Sequence, residues 1–346
     1  MPMTPEDITL LMSAVPMPLV LIGQNERVIA GNEAAGALFG RALQGRHYIT
    51  VLRQPSVLDA VERALTTGVT VDASMLTREA TRDTTYKVIA APVSVKGMEG
   101  VLLSLEDISH VQAATQMRRD FVANVSHELR TPLTALMGFI ETLRGPARDD
   151  KKAQQRFLEI MEREATRMSR LIKDLLSLSR VESEERMRPT KRVDLSSLVT
   201  SATMTLGPQA QENDVTLTVT GAREPIDVPG DGDQLLQVFS NLIENAIKYG
   251  GGQVQVDITL MERDPALRSE AVRIEVRDNG AGIDPLHVPR LTERFYRVDN
   301  HRSREMGGTG LGLAIVKHII NRHRGRLRIE SEKGQGSRFI VVLPRG

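Results

Sequence analysis

Apolar residues follow three different rhythms along this chain. Over residues 1–108, short β-rich runs at 18–23, 27–30 and 86–105 alternate with helical stretches near 32–40 and 55–66, which predicts an α+β domain. From Val111 the period becomes helical: Val125, Leu129, Leu133, Leu136, Ile140 and Leu143 fall on one narrow stripe. RGPARDDKK at 144–152 interrupts it, and a second stripe follows through Phe157, Met161, Ala165, Met168, Ile172 and Leu175. This is a helical hairpin, and two such helices cannot enclose a core alone. Pairing two hairpins into a four-helix bundle would bury both stripes, which predicts a homodimer. The polar stretch at 181–192 reads as a linker. From about 194, strands near 215–220, 253–261, 271–277, 326–331 and 337–343 mix with helices near 195–206, 231–249 and 310–323, an α/β pattern. The chain is therefore read as multidomain, with segments 1–108, 109–185 and 194–346.

Composition narrows the chemistry. The 45 Lys+Arg against 44 Asp+Glu leave a formal charge of +1 over 346 residues, so net charge selects no partner. With no cysteine, disulfides, thiolate metal sites and a cysteine nucleophile are excluded. No apolar run approaches the roughly 18 residues of a membrane helix, and the start lacks a signal-peptide layout, so a cytoplasmic protein is expected. Aromatics at 3% argue against base stacking.

His127 lies roughly 170° from the middle of the first helix's apolar stripe, so packing does not explain it. On periodicity alone an exposed histidine is an ordinary surface residue. Thr131 shares its face, Glu128 is adjacent and Pro132 removes a backbone donor. The string FVANVSHELRTPLTAL at 121–136 closely resembles the phosphoacceptor box of bacterial sensor histidine kinases. That resemblance implies that His127 takes the γ-phosphoryl group of ATP, with Glu128 orienting the ring as general base. Glu128 and Thr131 also match the family's E-x-x-T pattern, in which the threonine positions a water that dephosphorylates the partner response regulator. Arg130 would support phosphate charge or simply be solvated.

Three further clusters stand in the last segment. NLIENAIKYG at 241–250 puts Asn241, Asn245 and Lys248 on one helical face, an arrangement suited to a metal–phosphate rather than a core. DNGAGI at 278–283 is an acidic residue followed by a tight glycine turn, and GGTGLGLAIVKH at 307–318 is a glycine-rich loop entering a helix, whose amides can hold phosphate oxygens. In this order they resemble the N, G1 and G2 boxes of the α/β-sandwich ATP-binding fold shared by histidine kinases, gyrase, Hsp90 and MutL. The resemblance implies ATP and Mg²⁺ as cofactors, with Asn245 the metal ligand and Lys248 and Tyr249 phosphate or sugar contacts. It makes Asp278 the partner of the adenine amino group, with Gly280, Gly282 and Ile283 shaping the adenine site. Gly308, Thr309, Gly310, Leu311 and Gly312 would form the phosphate loop. RFYRVD at 294–299 matches the F box, implying that Phe295 anchors a lid over 298–309 and that Arg297 reaches the γ-phosphate. GQGSRF at 334–339 resembles the last glycine box, with Ser337 in the adenine network. Asn241 stands where the gyrase, Hsp90 and MutL branches carry a water-activating glutamate, and an amide is a poor base.

The front segment resembles a PAS sensor, through LLMSAVPMPLVLIGQNERVIAGNEAAGALFG. His47 is read as a loop residue, with haem ligation the remote alternative, and Glu106–Asp120 as a signalling helix. The basic run from Lys317 to Arg328 is read as a solvated helix end rather than a nucleic-acid patch. The resemblance as a whole implies a sensor histidine kinase, nearest the phosphate-regulon type, with a response regulator as partner and a membrane protein as a further signalling partner. A related ATPase machine and a scaffold with a vestigial ATP site are the alternatives.

Overall fold

The computed structural model describes residues 5–79, 82–95, 98–221, 224–299 and 308–346. It divides into two compact units, Met1–Val122 and Ala123–Gly346.

In the first unit, β1 (Leu19–Gly23), β2 (Val28–Gly31), β3 (Val71–Glu79), β4 (Arg82–Val95) and β5 (Met98–Asp107) form one antiparallel sheet in the order β2-β1-β5-β4-β3. The expected 86–105 run is thus two strands of a hairpin. All five residues of β1 are buried because both faces of the sheet are covered. Val20 and Ile22 join the core with Val57, Ala60, Val61 and Ala64 of α4 (Pro55–Thr67), whereas Leu19 and Leu21 pack with Ile8 and Met12 of α1 (Pro5–Ser13). Two further helices, α2 (Glu33–Phe39) and α3 (Tyr48–Leu52), lie between β2 and α4. His47 caps α3: Nδ1 accepts from the Ile49 amide, and Nε2 lies 2.9 Å from the Glu26 carboxylate. Both ring nitrogens are thus engaged within the protein, as the reading of His47 as an ordinary structural residue expects.

The second unit contains the hairpin of α5 (Ser109–Arg144, from Ala123 onward) and α6 (Lys151–Glu184). Asp150 caps α6 by accepting from the amides of Lys152 and Ala153, and Phe139 stacks on Phe157 across the hairpin. The α6 residues buried within one chain lie beside the expected stripe, which is expected to meet a second hairpin. These buried residues are Leu171, Leu178 and Val181, whereas Ala165 is exposed and Ile172 is 46% exposed. The reason is a second partner: the middle and C-terminal part of α6 packs on α9 (Gly312–Arg322) of the C-terminal α/β region, which the hairpin pattern alone does not reveal. The helix accordingly runs to Glu184, so residues 181–184 of the expected linker are helical and Val181 is core.

The remaining sheet has the order β11-β12-β10-β9-β7, from β7 (Thr216–Thr220), β9 (Gln253–Met261), β10 (Ala271–Asp278), β11 (Arg326–Ser331) and β12 (Ser337–Pro344). Only the β7–β9 pairing within it is parallel. Helices α7 (Leu195–Glu212), α8 (Gly232–Tyr249) and α9 pack against it, a two-layer α/β sandwich. A small two-stranded sheet of β6 (Arg192–Asp194) and β8 (Asp227–Pro229) was absent from the sequence reading. The basic run also differs from expectation. Arg322 and His323 are buried, because Arg322 pairs with Glu184 at 3.1 Å and with Asp231 at 3.3 Å, and His323 accepts the Asp231 amide at 3.0 Å. Among the described residues, no helix is long and apolar enough to cross a membrane.

Candidate functional site

Helix α8 separates two kinds of residue. Leu235, Val238, Phe239, Leu242, Ile243, Ala246 and Ile247 are buried, which turns Asn241, Glu244, Asn245 and Lys248 toward the opposite side. These four line a cavity of about 430 Å³, a volume within the range of small-molecule sites. The cavity also gathers Tyr249, Asp278, Gly282, Ile283, Arg297, Gly308, Thr309, Gly310, Gly312 and Ser337, all anticipated from sequence. Gly280, Phe295 and Leu311 are not in its lining. Leu311 is fully buried at the N-cap position of α9, and Gly280 donates its amide to Asp278. Phe295 takes the left-handed conformation, with φ of 63°, and donates its amide to the Gly310 carbonyl at 2.8 Å. It therefore ties the RFYRVD segment to the glycine loop, while its neighbours Tyr296 and Arg297 reach the cavity. Most of the expected lid, residues 300–307, lies outside the described residues.

Asp278 ends β10 at 7% exposure, and its Oδ1 accepts the amides of Gly280 at 3.0 Å and Ser337 at 3.1 Å. Burial holds the carboxyl above the ordinary carboxylate range, against those two hydrogen bonds, which lower it. Glycine is required around it. A Cβ at Gly336 would lie 2.1 Å from the Asp278 carbonyl oxygen, and one at Gly250 would lie 2.3 Å from the Asp278 Cβ. The Ser337 hydroxyl meets Ser331 Oγ at 2.9 Å, and Ser331 in turn accepts the Ile283 amide at 2.8 Å. Sequence reasoning missed Ser331, which carries no motif signal.

On the opposite side, the Asn241 amide donates to the Gly312 carbonyl at 3.3 Å, joining α8 to the start of α9. Lys248 lies 2.7 Å from Glu244, an i,i+4 pair that was readable but not singled out. Two residues of α6 also line the cavity. Arg170 lies 3.9 Å from Glu244, and Asp174 accepts the Thr309 hydroxyl at 2.7 Å. Burial raises the Asp174 carboxyl, opposed by Thr309, Arg170 and Lys248.

His127 is exposed on α5, and Thr131 donates its hydroxyl to the His127 carbonyl at 3.2 Å. Arg130 is exposed too. Glu128 is drawn to two guanidinium groups rather than to the adjacent imidazole: Arg167 lies 2.8 Å away on α6 and Arg297 lies 3.2 Å away. The structure therefore pairs Glu128 with arginine, where a contact with His127 was expected. Arg297, at 5% side-chain exposure, thus both lines the cavity and pairs with a residue of α5. The arrangement combines an anion-receptive glycine loop at a helix start, a buried carboxylate acceptor and a solvent-accessible imidazole on a neighbouring helix.

Comparison with known proteins agrees with this geometry. Residues 117–184 match the His Kinase A (phospho-acceptor) domain, and residues 230–346 match the histidine kinase-, DNA gyrase B- and HSP90-like ATPase family. The chain is 39% identical over 247 residues to the phosphate regulon sensor protein PhoR of Pseudomonas aeruginosa, covering 71% of this chain and 54% of that protein. To the sensor protein kinase WalK of Staphylococcus saprophyticus it is 40% identical over 245 residues, covering 71% of this chain and 39% of that protein. The chain therefore matches about half or less of the length of these relatives. In fold it is similar to the histidine kinase ThkA, solved in complex with the response regulator protein TrrA, with a TM-score of 0.52, 21% identity and 98% of each chain covered. With a phosphoacceptor domain directly ahead of its ATPase domain, the chain belongs to the two-component sensor histidine kinases.

Proposed function

We propose that this chain is an ATP-dependent protein histidine kinase that phosphorylates His127 and passes the phosphoryl group to an aspartate of a response regulator. The observation that carries the reading is the coexistence, in one compact unit, of an exposed imidazole on α5 and a nucleotide-sized cavity whose Arg297 contacts the residue next to that imidazole. The neutral imidazole nitrogen attacks the γ-phosphorus, an N–P bond forms as the bond to the ADP oxygen breaks, and ADP leaves. Asp278 accepts the adenine amino group, while the amides at the start of α9 hold phosphate oxygens. Arg297 places a cation between the cavity and α5, where negative charge spreads during transfer. The Asn245 amide oxygen in the cavity wall fits Mg²⁺, which prefers few protein oxygen ligands together with phosphate oxygens; bound there, the ion would offset phosphate charge. Asn241, lacking basicity, leaves ATP unhydrolysed for His127.

Homodimerisation is part of the proposal. Within one hairpin Leu133 is 50% exposed, Ile140 43%, Leu158 53% and Ile172 46%, apolar surface that a second hairpin would cover. The E-x-x-T spacing of Glu128 and Thr131 supports regulator phosphatase activity as well. The sheet order of the first unit supports the PAS-like reading of a sensor domain. The likeness to PhoR supports phosphate-linked signalling, and dependence on ATP and a receiver domain supports a cytoplasmic location.

The test is incubation of the full chain with γ-labelled Mg·ATP. Acid-labile, alkali-stable label is expected on the native chain and absent from His127→Ala and Asn245→Ala. Label that persists in His127→Ala refutes the assignment, and steady ATP hydrolysis without label favours an ATPase machine.

A further inference from the structure

Two carboxylates face the part of the cavity that phosphates would enter, and the mechanism above uses neither. Asp174 of α6 accepts the Thr309 hydroxyl at 2.7 Å, and Glu244 lies 2.7 Å from Lys248. Thr309 sits between Gly308 and Gly310, immediately before the start of α9, and its hydroxyl also receives the Leu311 amide at 3.3 Å. Leu311 supplies no side-chain cap, so the first turn of α9 is a place where an anion is stabilised. We infer that Asp174 competes with the phosphate end of the nucleotide: ATP expels its carboxylate from the glycine loop and thereby loosens the hold of α6 on the ATPase domain.

The inference rests on reading the cavity as an ATP site. A carboxylate and a phosphate present the same oxygen acceptors and the same sign of charge, so they cannot share Thr309 and the α9 amides without strong repulsion. Glu244 engages Lys248 in the same manner, which leaves phosphate to displace acidic partners on both sides of the cavity. Farther along, α6 is pinned independently of the nucleotide. Leu178 and Val181 are buried, Glu184 pairs with Arg322 at 3.1 Å, and Glu185 lies 2.9 Å from His318. Release at Asp174 would therefore open the contact from its cavity end while the far end stays attached. Asp174 acts here as a positioning residue, and phosphate number is the quantity that separates this role from a merely structural one.

The full chain and its Asp174→Asn variant are titrated calorimetrically with AMP, ADP and a non-hydrolysable ATP analogue in Mg²⁺. Asparagine keeps the size and can still accept the Thr309 hydroxyl, so only charge changes; Asp174→Ser, which lacks both charge and amide, serves as the second variant. The analogue is expected to bind roughly 3- to 10-fold more tightly to both variants, ADP with a smaller gain and AMP within about twofold of the native chain. Unchanged affinities, or a gain equal for all three nucleotides, overturn the inference and leave the ATP reading standing. Weaker binding by the variants makes Asp174 a nucleotide ligand and overturns it too. Failure of every protein to bind any nucleotide removes the ATP reading and the inference together.

Discussion

Replacing Asp278 by Asn isolates the chemistry of base recognition from the shape of the cavity. The side chain is nearly isosteric, and one oxygen suffices for the two amides of Gly280 and Ser337, both of which bond Oδ1. The second position of the carboxylate, an acceptor in the native chain, becomes an NH₂ donor that opposes the amino group of adenine. Losing a hydrogen bond to a charged acceptor and leaving two donors face to face costs about 1.5–3 kcal/mol, equivalent to about 10- to 150-fold in Kd for ATP. A base with a carbonyl at the same position, as in inosine, lacks that clash, so the variant's ATP:ITP preference should fall by a similar factor. The sign of the stability change is opposite. Because burial raises the Asp278 carboxyl in the folded chain, its contribution to stability is fully present below the unfolded carboxylate pKa and is lost as pH rises through the folded value. Near pH 7, without nucleotide, Asp278→Asn should therefore be as stable as the native chain or more so. Calorimetric titration with ATP and ITP, with urea melts on the same samples, measures both. Unchanged ATP affinity, or equal losses for both nucleotides, refutes the role given to Asp278.

Two other outcomes follow from residues around the site. Gly336→Ala forces a side chain into φ of 82° and sets its Cβ 2.1 Å from the Asp278 carbonyl, so unfolding free energy should fall by at least about 1–2 kcal/mol; a urea midpoint equal to the native one contradicts this. His323 donates from Nδ1 to the Ile319 carbonyl at 2.7 Å and accepts at Nε2, and burial lowers its pKa among Arg322, Asp231 and Arg188. A depressed histidine stabilises above its unfolded pKa and loses that contribution as pH falls, so stability should decline from about pH 6.5 downward; His323→Gln should flatten that slope, and an identical slope in urea melts disproves the assignment.

The site was legible where backbone geometry leaves a residue-type signature. Tight turns and close backbone approach demand glycine, so Gly282, Gly310 and their neighbours announced the cavity, and the helical spacing of Asn241, Asn245 and Lys248 placed them on one wall. Asp174 and Arg170 stayed silent because a polar residue on an amphipathic helix looks the same whether it faces water or a partner distant in sequence. The same cause hid a second apolar face of α6, at Leu171, Leu178 and Val181, whose partner α9 begins well over a hundred residues later. Glu128 was located but its arginine partners were not, since nothing local foretells two guanidinium groups arriving from α6 and from the ATPase domain. In the first unit, β3 and α1 escaped notice because apolar residues on their exposed sides blur the pattern: Leu76 is 61% exposed on β3, and Leu10 and Leu11 are 73% and 64% exposed on α1.

The wall around Asp278 is largely main chain, and this bears on how an inhibitor of the site would age in use. Added methyl groups at Gly250, Gly280, Gly282 and Gly336 would meet neighbouring atoms at 2.3, 2.6, 2.0 and 2.1 Å. Of these only Gly282 faces the cavity, so a compound that satisfies the carboxylate and presses against Gly282 contacts surface that cannot be enlarged without damaging the protein's own fold, while the other three hold Asp278 in place from behind. Resistance would have to arise at side-chain positions such as Ile283 or Tyr296, so compounds that avoid leaning on these two should keep their potency longest.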